Sequence, residues 1–473
     1  MKGGEGLVFS SLEFLFWFLP FFLLVYYILP ARYKNTCIAF YSLCFYLCGS
    51  LDYPVYVLLI ALSTVINYII ARCIEADKKH KQVFLTVGLM YDFGILFVFK
   101  YLDFFIESIN SLAGRLHIEN FTLAPVGLVL PVGISFFTFQ IASYLIDVYW
   151  GKVKAEKNFI DLSAYILMFP QLIAGPIVRF SDIRERLKHR PYSVKKIADG
   201  MRIFIIGLGF KVLLANRIGN LWHDINTIGY DSISTPLAWM GIAAYSLQIY
   251  FDFYGYSLMA AGLGEMIGFR FPQNFRLPYC ACTMTDFWRR WHITLGSWFR
   301  EYVYIPLGGN RKGKARTYFN MLVVWLLTGF WHGADWNFLL WGLFLFAVLC
   351  LEKAGYGKWM EKHRICGHLY MIVLIPISWL LFAVDSMPLF ITYVKRLFGF
   401  GGENVFFGDV IKYGRLYGIL LAIGLFFCTP FQRNIYKKIW DKWFSWLVIA
   451  AIFAGAVYYL YIGLNNPFLY FRF

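Results

Sequence analysis

Long apolar runs separated by short polar segments extend along almost the whole chain. Most of the runs approach or exceed the roughly 20 apolar residues that a helix needs to cross the hydrocarbon core of a bilayer. The runs lie at residues 7–29, 36–50, 54–71, 83–106, 121–149, 201–221, 236–263, 318–350, 370–393, 413–428 and 443–463. The pattern predicts an all-α polytopic membrane protein with about eleven transmembrane helices. The first run carries no cleavage pattern, so we expect it to remain as the first helix.

Composition supports this fold class. Of the 473 residues, 59% are hydrophobic, 21% are aromatic and 15% are charged, whereas about a quarter of the residues of a soluble domain carry charge. No internal repeat or polar linker divides the chain, and we expect one membrane domain over residues 1–473. The nine cysteines are scattered, which argues against a disulfide framework. Cys280 and Cys282 form one close pair without further ligands nearby, so we expect no metal site.

The net charge of +16 raises the question of nucleic-acid binding. The basic residues, however, lie in short loops between apolar runs, and short basic loops stay on the cytoplasmic side of a membrane. These loops lie at residues 32–34, 72–81, 152–157, 179–196, 311–316, 353–364 and 433–442. Membrane topology therefore explains the charge. We expect an N-terminus outside the cytoplasm and contact with membrane lipid, not with nucleic acid.

One apolar run, at residues 318–350, is too long for an ordinary crossing. Its 33 residues would extend roughly 50 Å as one helix, against a hydrocarbon core of about 30 Å. Both ends face basic loops, so we expect the chain to enter, turn near His332 and return. Gly333 is a candidate helix terminator and Asp335 a candidate cap for the next helix. Such a break at membrane depth is tolerated only inside protein or beside a water-filled cavity.

A second break is predicted at residues 161–178, which contain Pro170, Gly175 and Pro176. Basic loops flank this segment on both sides, and a full crossing would place one of them outside the cytoplasm. A re-entrant hairpin fits the charge pattern better.

His332 is the first candidate for chemistry, because an ionisable group inside a membrane is costly and indicates function by default. The alternative is a neutral histidine bonded to a neighbouring carbonyl in a packed bundle. A second histidine, His292, lies in segment 285–302, where a helical projection separates an apolar face from a charged arc. We expect one interfacial amphipathic helix with Arg289 and Arg290 toward water or lipid phosphate. His292 is at the edge of the apolar face, where it either reaches a protein cavity or has no chemical role.

A glycine pair after this segment predicts a turn, and a polar and basic stretch follows it. Its residues are Asn310, Arg311, Lys312, Lys314 and Arg316. The cluster is either a topology signal or a seat for an anionic donor such as a nucleotide-bearing thioester.

Two histidines in a membrane cavity are suited to acid–base chemistry, because an imidazole takes up and returns a proton near working pH. The chain contains no G-x-S-x-G elbow, no zinc-protease motif and no Walker or GxGxxG loop. A histidine base would therefore activate a hydroxyl brought by the substrate, and no covalent enzyme intermediate is required.

Several stretches of the chain closely resemble the membrane-bound O-acyltransferase (MBOAT) family, in particular its bacterial alginate O-acetyltransferase branch. The signature region at residues 275–350 carries "DFWRRWHITLGSWFREYVYIPLGGNRKGKARTYFN" and "LLTGFWHGADWNFLLWGL". The resemblance extends to "LVFSSLEFLFWFLPFFLLVYYILP", "LPVGISFFTFQIASYLIDVYWG", "FPQLIAGPIVRF", "GFRFPQNFRLPY" and "NPFLYFRF". It covers nearly the whole chain.

The resemblance implies a central funnel or tunnel within a ring of helices in the plasma (inner) membrane, with His332 as the catalytic residue and His292 as the second histidine. It further implies that an acetyl group passes from cytoplasmic acetyl-CoA, or an acyl carrier, to an extracytoplasmic acetyltransferase partner that decorates a polysaccharide. No bound cofactor is expected. Residues expected near the donor are Arg289, Arg290, Trp291, Trp331, Asn310, Arg311 and Lys312.

One stretch departs from the family pattern. Many relatives carry Ser-Gly-Tyr-Ser-Asp-Met-Ala after "DF", where this chain has Tyr254 in place of the serine and Leu258 in place of the aspartate. If that aspartate tunes the acceptor side in relatives, we expect a different acceptor for this chain. Two other functions remain open, a D-alanyl transferase of the teichoic-acid branch and a polysaccharide-precursor transporter. The chain shows no inverted repeat of the kind that many transporters have.

Overall fold

The computed structural model describes residues 7–118, 121–172, 175–384, 386–401, 405–406, 408–463 and 469. Within these residues the regular structure is entirely helical, which confirms the all-α class. The chain forms two compact units. The first consists of Met1–Met201 with Ala260–Pro272, and the second of Arg202–Met259 with Gln273–Phe473. The single-domain interpretation stays a prediction.

Helices of the first unit begin with a π-helical turn, Phe14–Phe18, that continues into α1. The helices that follow are α1 (Leu19–Ile28), α2 (Lys34–Gly49), α3 (Val55–Ala76), α4 (Lys81–Leu96), α5 (Leu102–Arg115), α6 (Ile134–Tyr149), α7 (Phe159–Leu167), α8 (Phe169–Leu172) and α9 (Phe180–Lys188). A second π-helical turn, Phe97–Tyr101, joins α4 to α5.

Helices α10 (Val194–Gly209) and α11 (Asn216–Ile228), joined by the π-helical segment Phe210–Ala215, lead to the long α12 (Thr235–Met266). The later helices of the second unit are α13 (Met284–Trp288), α14 (Ile293–Phe299), α15 (Lys314–His332), α16 (Trp336–Leu351), α17 (Gly357–Lys362), α18 (Arg364–Ala383), α19 (Met387–Leu397), α20 (Asp409–Phe427), α21 (Phe431–Ile439) and α22 (Ser445–Tyr461).

Five helical stretches among the described residues are long and apolar enough to cross a membrane. They are Val55–Ala76, Lys81–Arg115, Trp336–Lys362, Arg364–Ala383 and Asp409–Phe427. Shorter apolar helices lie at Phe14–Ile28, Ile134–Tyr149 and Ser445–Tyr461. The polytopic membrane class is confirmed, whereas about eleven crossings and a central funnel stay predictions.

One predicted span, residues 121–149, is wrong over its first half, because helix begins only at Ile134. Pro125 and Pro131 lack the N–H that a helix interior requires. The backbone N–H groups of Val126 and Gly127 instead donate to the Asp103 carboxylate, at 2.7 and 2.9 Å. A side chain from α5 therefore satisfies the backbone that the predicted helix would have paired internally.

Two other runs contain breaks. The run at residues 370–393 divides into α18 and α19, and Met387 begins the second of these. The segment at residues 161–178 forms α7 and α8, of nine and four residues, separated by Met168. Neither helix is long enough to cross a bilayer, as the re-entrant interpretation requires. Ile173 and Ala174 lie outside the described residues, as does most of the family-like ending at residues 466–473.

Candidate active site

The predicted break of the long apolar run is present, and His332 is the last residue of α15. Gly333 follows in an extended conformation and ends the helix. The Asp335 carboxylate accepts a hydrogen bond from the Asn337 N–H at 3.4 Å and caps α16. Both predicted boundary signals are therefore confirmed, and the histidine occupies the end of a helical hairpin.

Two glycines allow the arms of this hairpin to approach closely. A Cβ on Gly329 of α15 would collide with the carbonyl oxygen of Phe338, and a Cβ on Gly342 of α16 would collide with that of Trp325. Small residues at such crossings permit backbone-to-backbone packing between membrane helices. The hairpin therefore holds His332 on a rigid support.

The predicted single helix at residues 285–302 is wrong. Helix α13 ends at Trp288, a turn follows, and His292 has a left-handed backbone with φ of 46° at the start of α14. An irregular loop at residues 274–276 forms hydrogen bonds with backbone groups that a continuous helix would have paired internally. The Arg276 N–H donates to the Arg290 carbonyl at 2.9 Å, and the Ile293 N–H donates to the Asn274 carbonyl at 3.0 Å.

The side chain of Asn274 fixes the orientation of the buried His292 ring. Asn274 Oδ1 accepts the Thr294 N–H at 3.4 Å and the Thr294 O–H at 2.9 Å, and lies 3.2 Å from His292 Nδ1. Its amide nitrogen donates to Ser257 Oγ at 3.2 Å. Because Oδ1 can only accept, His292 Nδ1 must carry the hydrogen, and Nε2 carries the lone pair.

Burial keeps the His292 ring neutral. The residue is 2% exposed and its ring meets Phe253 edge-on at 4.7 Å between centroids. His292 lies outside the apolar spanning helices, and desolvation lowers its pKa to about 3. A neutral imidazole with a defined tautomer is a suitable positioning group, because its Nε2 lone pair can accept a hydrogen bond from a bound ligand.

His332 lies among aromatic rings and is 6% exposed. Ring centroids of Trp331, Trp341 and Phe382 lie 5.0, 5.2 and 5.4 Å from that of His332. Trp331 is also 5.9 Å from the His292 ring. One indole therefore contacts both histidines, and the structure brings the two predicted catalytic residues to the same place.

A cluster of tryptophans extends from this pair of histidines. Trp288 contacts Trp341 at 5.5 Å between centroids, and Trp291 contacts Trp379 at 4.9 Å. Trp379 in turn stacks on Trp341 at 6.2 Å. In the part of the chain that the structure describes, the buried indole N–H groups of Trp288 and Trp341 have no hydrogen-bond partner. These two N–H groups can donate hydrogen bonds to a ligand.

Glu352 holds the N-terminus of α13 and thereby the turn that carries His292. Its carboxylate accepts the backbone N–H groups of Met284 and Thr285 at 2.5 and 2.8 Å. It also accepts the hydroxyls of Thr285 and Tyr370, at 2.6 and 3.0 Å. A carboxylate at a helix N-terminus is stabilised by the free N–H groups there. Glu352 is therefore a positioning residue for this part of the site.

The predicted donor residues fall into two groups. Trp291 and Trp331 are buried in the aromatic cluster. Arg289, Asn310, Arg311 and Lys312 are exposed, and the half-buried Arg290 pairs with Asp286 at 2.8 Å. The structure places the two tryptophans beside the histidines. The charged and polar residues predicted to bind the donor are instead exposed or half-buried.

Three further residues of the site are absent from the sequence-based set. Asn274, Trp341 and Glu352 each make contacts that only the fold reveals. The sequence signals for them were weak. Asn274 is one polar residue before an apolar stretch, Trp341 is one tryptophan among many, and Glu352 is a lone carboxylate at the end of an apolar run.

The two positions that depart from the family pattern lie on α12. Tyr254 stacks on Tyr250 at 5.4 Å and on Phe210 at 5.6 Å between ring centroids. The nearby Asp252 pairs with Lys211 at 2.7 Å. Tyr254 thus packs against aromatic rings, and Leu258 is partly buried beside the same core.

The described residues thus form an all-α membrane protein with two buried histidines in a cluster of aromatic rings. The sequence profile of the membrane-bound O-acyltransferase family matches residues 153–394. The chain belongs to this family and is an acyltransferase.

Similar proteins extend the match to nearly the whole chain. The probable alginate O-acetylase AlgI of Pseudomonas putida is 35% identical over 99% of this chain and 100% of its own length. That of Azotobacter vinelandii is 39% identical over 84% of this chain and 79% of its own length. The peptidoglycan O-acetyltransferase of Helicobacter pylori is 31% identical over 99% of this chain and 98% of its own length.

Proposed function

We propose that this protein is an O-acetyltransferase of the inner membrane that moves acetyl groups from cytoplasmic acetyl-CoA toward an exported polysaccharide. The similar proteins named as alginate and peptidoglycan O-acetylating enzymes support a polysaccharide as the final acceptor. The single observation that carries the assignment is the burial of His332 at a broken hairpin, with Trp331 shared between it and His292.

In the proposed reaction His332 is the general base. Its imidazole takes the proton of an acceptor hydroxyl as the hydroxyl oxygen bonds to the thioester carbonyl carbon. The carbon–sulfur bond then breaks, and the imidazolium returns the proton to the departing thiolate. The acetyl group is thereby exchanged between sulfur and oxygen, with no covalent bond to the enzyme.

The surrounding rings have two roles in this proposal. The indole N–H of Trp341 donates to the carbonyl oxygen as negative charge develops there. The aromatic rings around His332 exclude bulk water, which would otherwise hydrolyse the thioester. His292, held by Asn274, positions the reacting group or relays a proton through Nε2.

Binding of the donor is assigned to surface cations. Arg311 and Lys312 are exposed and belong to a loop predicted to face the cytoplasm, where the phosphates of acetyl-CoA would meet them. Arg289 is exposed on the segment predicted to lie at the membrane interface and would join them. An extracytoplasmic partner protein would accept the acetyl group and pass it to the polysaccharide. Weaker donor binding at higher salt is expected, because exposed charges are screened.

The test is release of free thiol from acetyl-CoA by the purified protein in lipid nanodiscs, with and without the candidate partner. We expect His332→Ala to lower the rate by about 100-fold or more, the usual contribution of a general base. His363→Ala is the matched control, because this histidine is exposed and belongs to the same unit. It should keep the wild-type rate.

Two outcomes would overturn the proposal. Wild-type thiol release by folded His332→Ala would remove the catalytic assignment. Absence of release by the wild type with its partner would exclude acetyl-CoA as the donor, and D-alanyl transfer from a carrier protein would then be assayed.

A further inference from the structure

A basic cavity lies in the first unit and uses none of the residues of the active site. Its volume is about 430 Å³, and it is lined by Ala31 and residues 187–192. Ala31 belongs to the turn after α1, and residues 187–192 follow α9. Both segments are predicted to face the cytoplasm, and the structure brings them together.

The cavity has a fixed framework. Arg190 donates to the Tyr26 hydroxyl at 2.9 Å and to the Arg186 carbonyl at 2.7 Å. Tyr26 donates to the Ile267 carbonyl at 2.7 Å, and its oxygen lies 2.8 Å from that of Tyr192. These bonds join α1, the segment after α9 and the residue that follows α12, so hydrogen bonds between distant segments hold the residues beside the cavity in place.

Positive charge surrounds this cavity. Residues 31–34 and 187–192 contain four Lys or Arg side chains, one histidine and no carboxylate. Lys34 is 8% exposed, and its ammonium lies 3.9 Å from the ring centroid of Tyr192, which lines the cavity. Lys188 and His189 are exposed at the rim. Two carboxylates lie near this cluster. Glu156 is 3.5 Å from Lys188. Asp161 accepts a hydrogen bond from Asn35, whose amide also donates to the Leu187 carbonyl.

An apolar stripe leads to the cavity along the helix Phe14–Ile28. Trp17, Phe21, Leu24 and Ile28 follow one another at spacings of four, three and four residues, so they share one helix face. They are 69%, 58%, 59% and 73% exposed. Ile28 precedes Ala31 of the cavity by three residues. An acyl chain lying along this face would place its headgroup at the basic cavity.

We propose that this cavity binds the phosphate of an anionic phospholipid from the cytoplasmic leaflet, with an acyl chain along the stripe from Trp17 to Ile28. The positive charge matches the phosphate, and basic segments beside a membrane helix attract anionic lipids. A soluble phosphate compound would use the charge but leave the adjoining stripe without a role. The lipid accounts for both features.

The test is native mass spectrometry of the detergent-purified full chain, titrated with phosphatidylglycerol or with phosphatidylcholine of the same acyl chains. The double variant Lys188→Gln/His189→Gln alters two exposed side chains at the rim and leaves the Arg190–Tyr26 framework intact. Lys79→Gln/His80→Gln removes the same residue types from another exposed loop of the first unit and is the matched control. Unchanged melting temperatures would confirm that the variants are folded.

We expect the wild type to prefer phosphatidylglycerol, and to bind its long-chain form more tightly than its short-chain form. The rim variant should bind phosphatidylglycerol about fivefold more weakly, the effect of about one cation near an anionic lipid, and the control should match the wild type. Equal binding of the two lipids, or wild-type affinity in the rim variant, would overturn the proposal. Displacement of the lipid by glycerol 3-phosphate or inorganic phosphate would assign the cavity to a soluble phosphate compound instead.

Discussion

Replacement of Asn274 by alanine is the sharpest test of how the site orients His292. The substitution removes the oxygen that faces His292 Nδ1 and accepts the hydroxyl and N–H of Thr294. All of these groups are buried. The variant therefore leaves buried donors without an acceptor and frees the imidazole to rotate.

The magnitude follows from the number of bonds lost. Two of the three bonds, at 3.2 and 2.9 Å, are well within hydrogen-bond range, and the third, at 3.4 Å, is weak. Leaving a buried donor unpaired costs about 1–3 kcal/mol. Asn274→Ala should therefore lower the free energy of unfolding by about 2–4 kcal/mol. We also expect the rate of acetyl transfer to fall about tenfold or more.

Thr294→Val separates stability from catalysis. It removes one donor to Asn274 but keeps the bond between Asn274 and His292, so stability should fall by about 1 kcal/mol while the rate stays near that of the wild type. Asn274→Asp keeps an acceptor at the same place and adds negative charge. Because a nearby carboxylate favours the charged imidazole, the pKa of His292 should rise and the pH profile of activity should move to higher pH.

The assays are thiol release from acetyl-CoA and thermal unfolding followed by tryptophan fluorescence, both in detergent or nanodiscs. Wild-type stability and rate in Asn274→Ala would refute the inferred network. An unshifted pH profile in active Asn274→Asp would refute a kinetic role for the protonation state of His292.

Three further predictions concern neighbouring groups. Trp341→Phe keeps an aromatic ring but removes the unpaired N–H, so kcat should fall about 10- to 100-fold. The smaller ring also leaves a cavity at a fully buried position, so the melting temperature should fall as well. The two carboxylate oxygens of Glu352 together accept four hydrogen bonds, and Glu352→Gln removes the charge and one of these acceptors. The free energy of unfolding, measured by thermal or denaturant unfolding, should therefore fall by about 2 kcal/mol. Acid should destabilise the protein through His292, whose pKa of about 3 in the fold lies below its ordinary 6.5. As the pH falls, the histidine of the unfolded chain takes up its proton before the buried His292 does. The free energy of unfolding is therefore unaffected by His292 well above pH 6.5 and is lower by about 2 kcal/mol at pH 5. His292→Gln should lack that part of the pH dependence.

Each of these has a contrary result. An unchanged kcat in Trp341→Phe would show that its N–H does not meet the acyl oxygen. Full stability of Glu352→Gln would show that α13 is held by other contacts. If the melting temperatures of the wild type and of His292→Gln depend equally on pH, the inference that the buried His292 ring stays neutral is refuted.

Several features of the site followed from local sequence because their causes are local. The break after His332 depends on Gly333 and on the capping of α16 by Asp335, and both act within a few residues of the break. The burial of His332 followed from the length of the apolar run against the thickness of a membrane. Residues 285–302, in contrast, have a helical pattern and still form two helices.

The sequence by itself determined the all-α membrane class, the hairpin that carries His332 and the family, because hydrophobicity, helix boundaries and motifs are properties of adjacent residues. Only the tertiary structure decided the turn before His292, the coil at residues 121–131 and the pairing of the two histidines across Trp331. In the first two cases the deciding group comes from a distant part of the chain. Backbone and side-chain groups of Asn274 replace helical bonds at His292, and the Asp103 carboxylate does so at Val126. Such hydrogen bonds form only when distant segments pack together, and they cannot be predicted from the local periodicity of apolar residues.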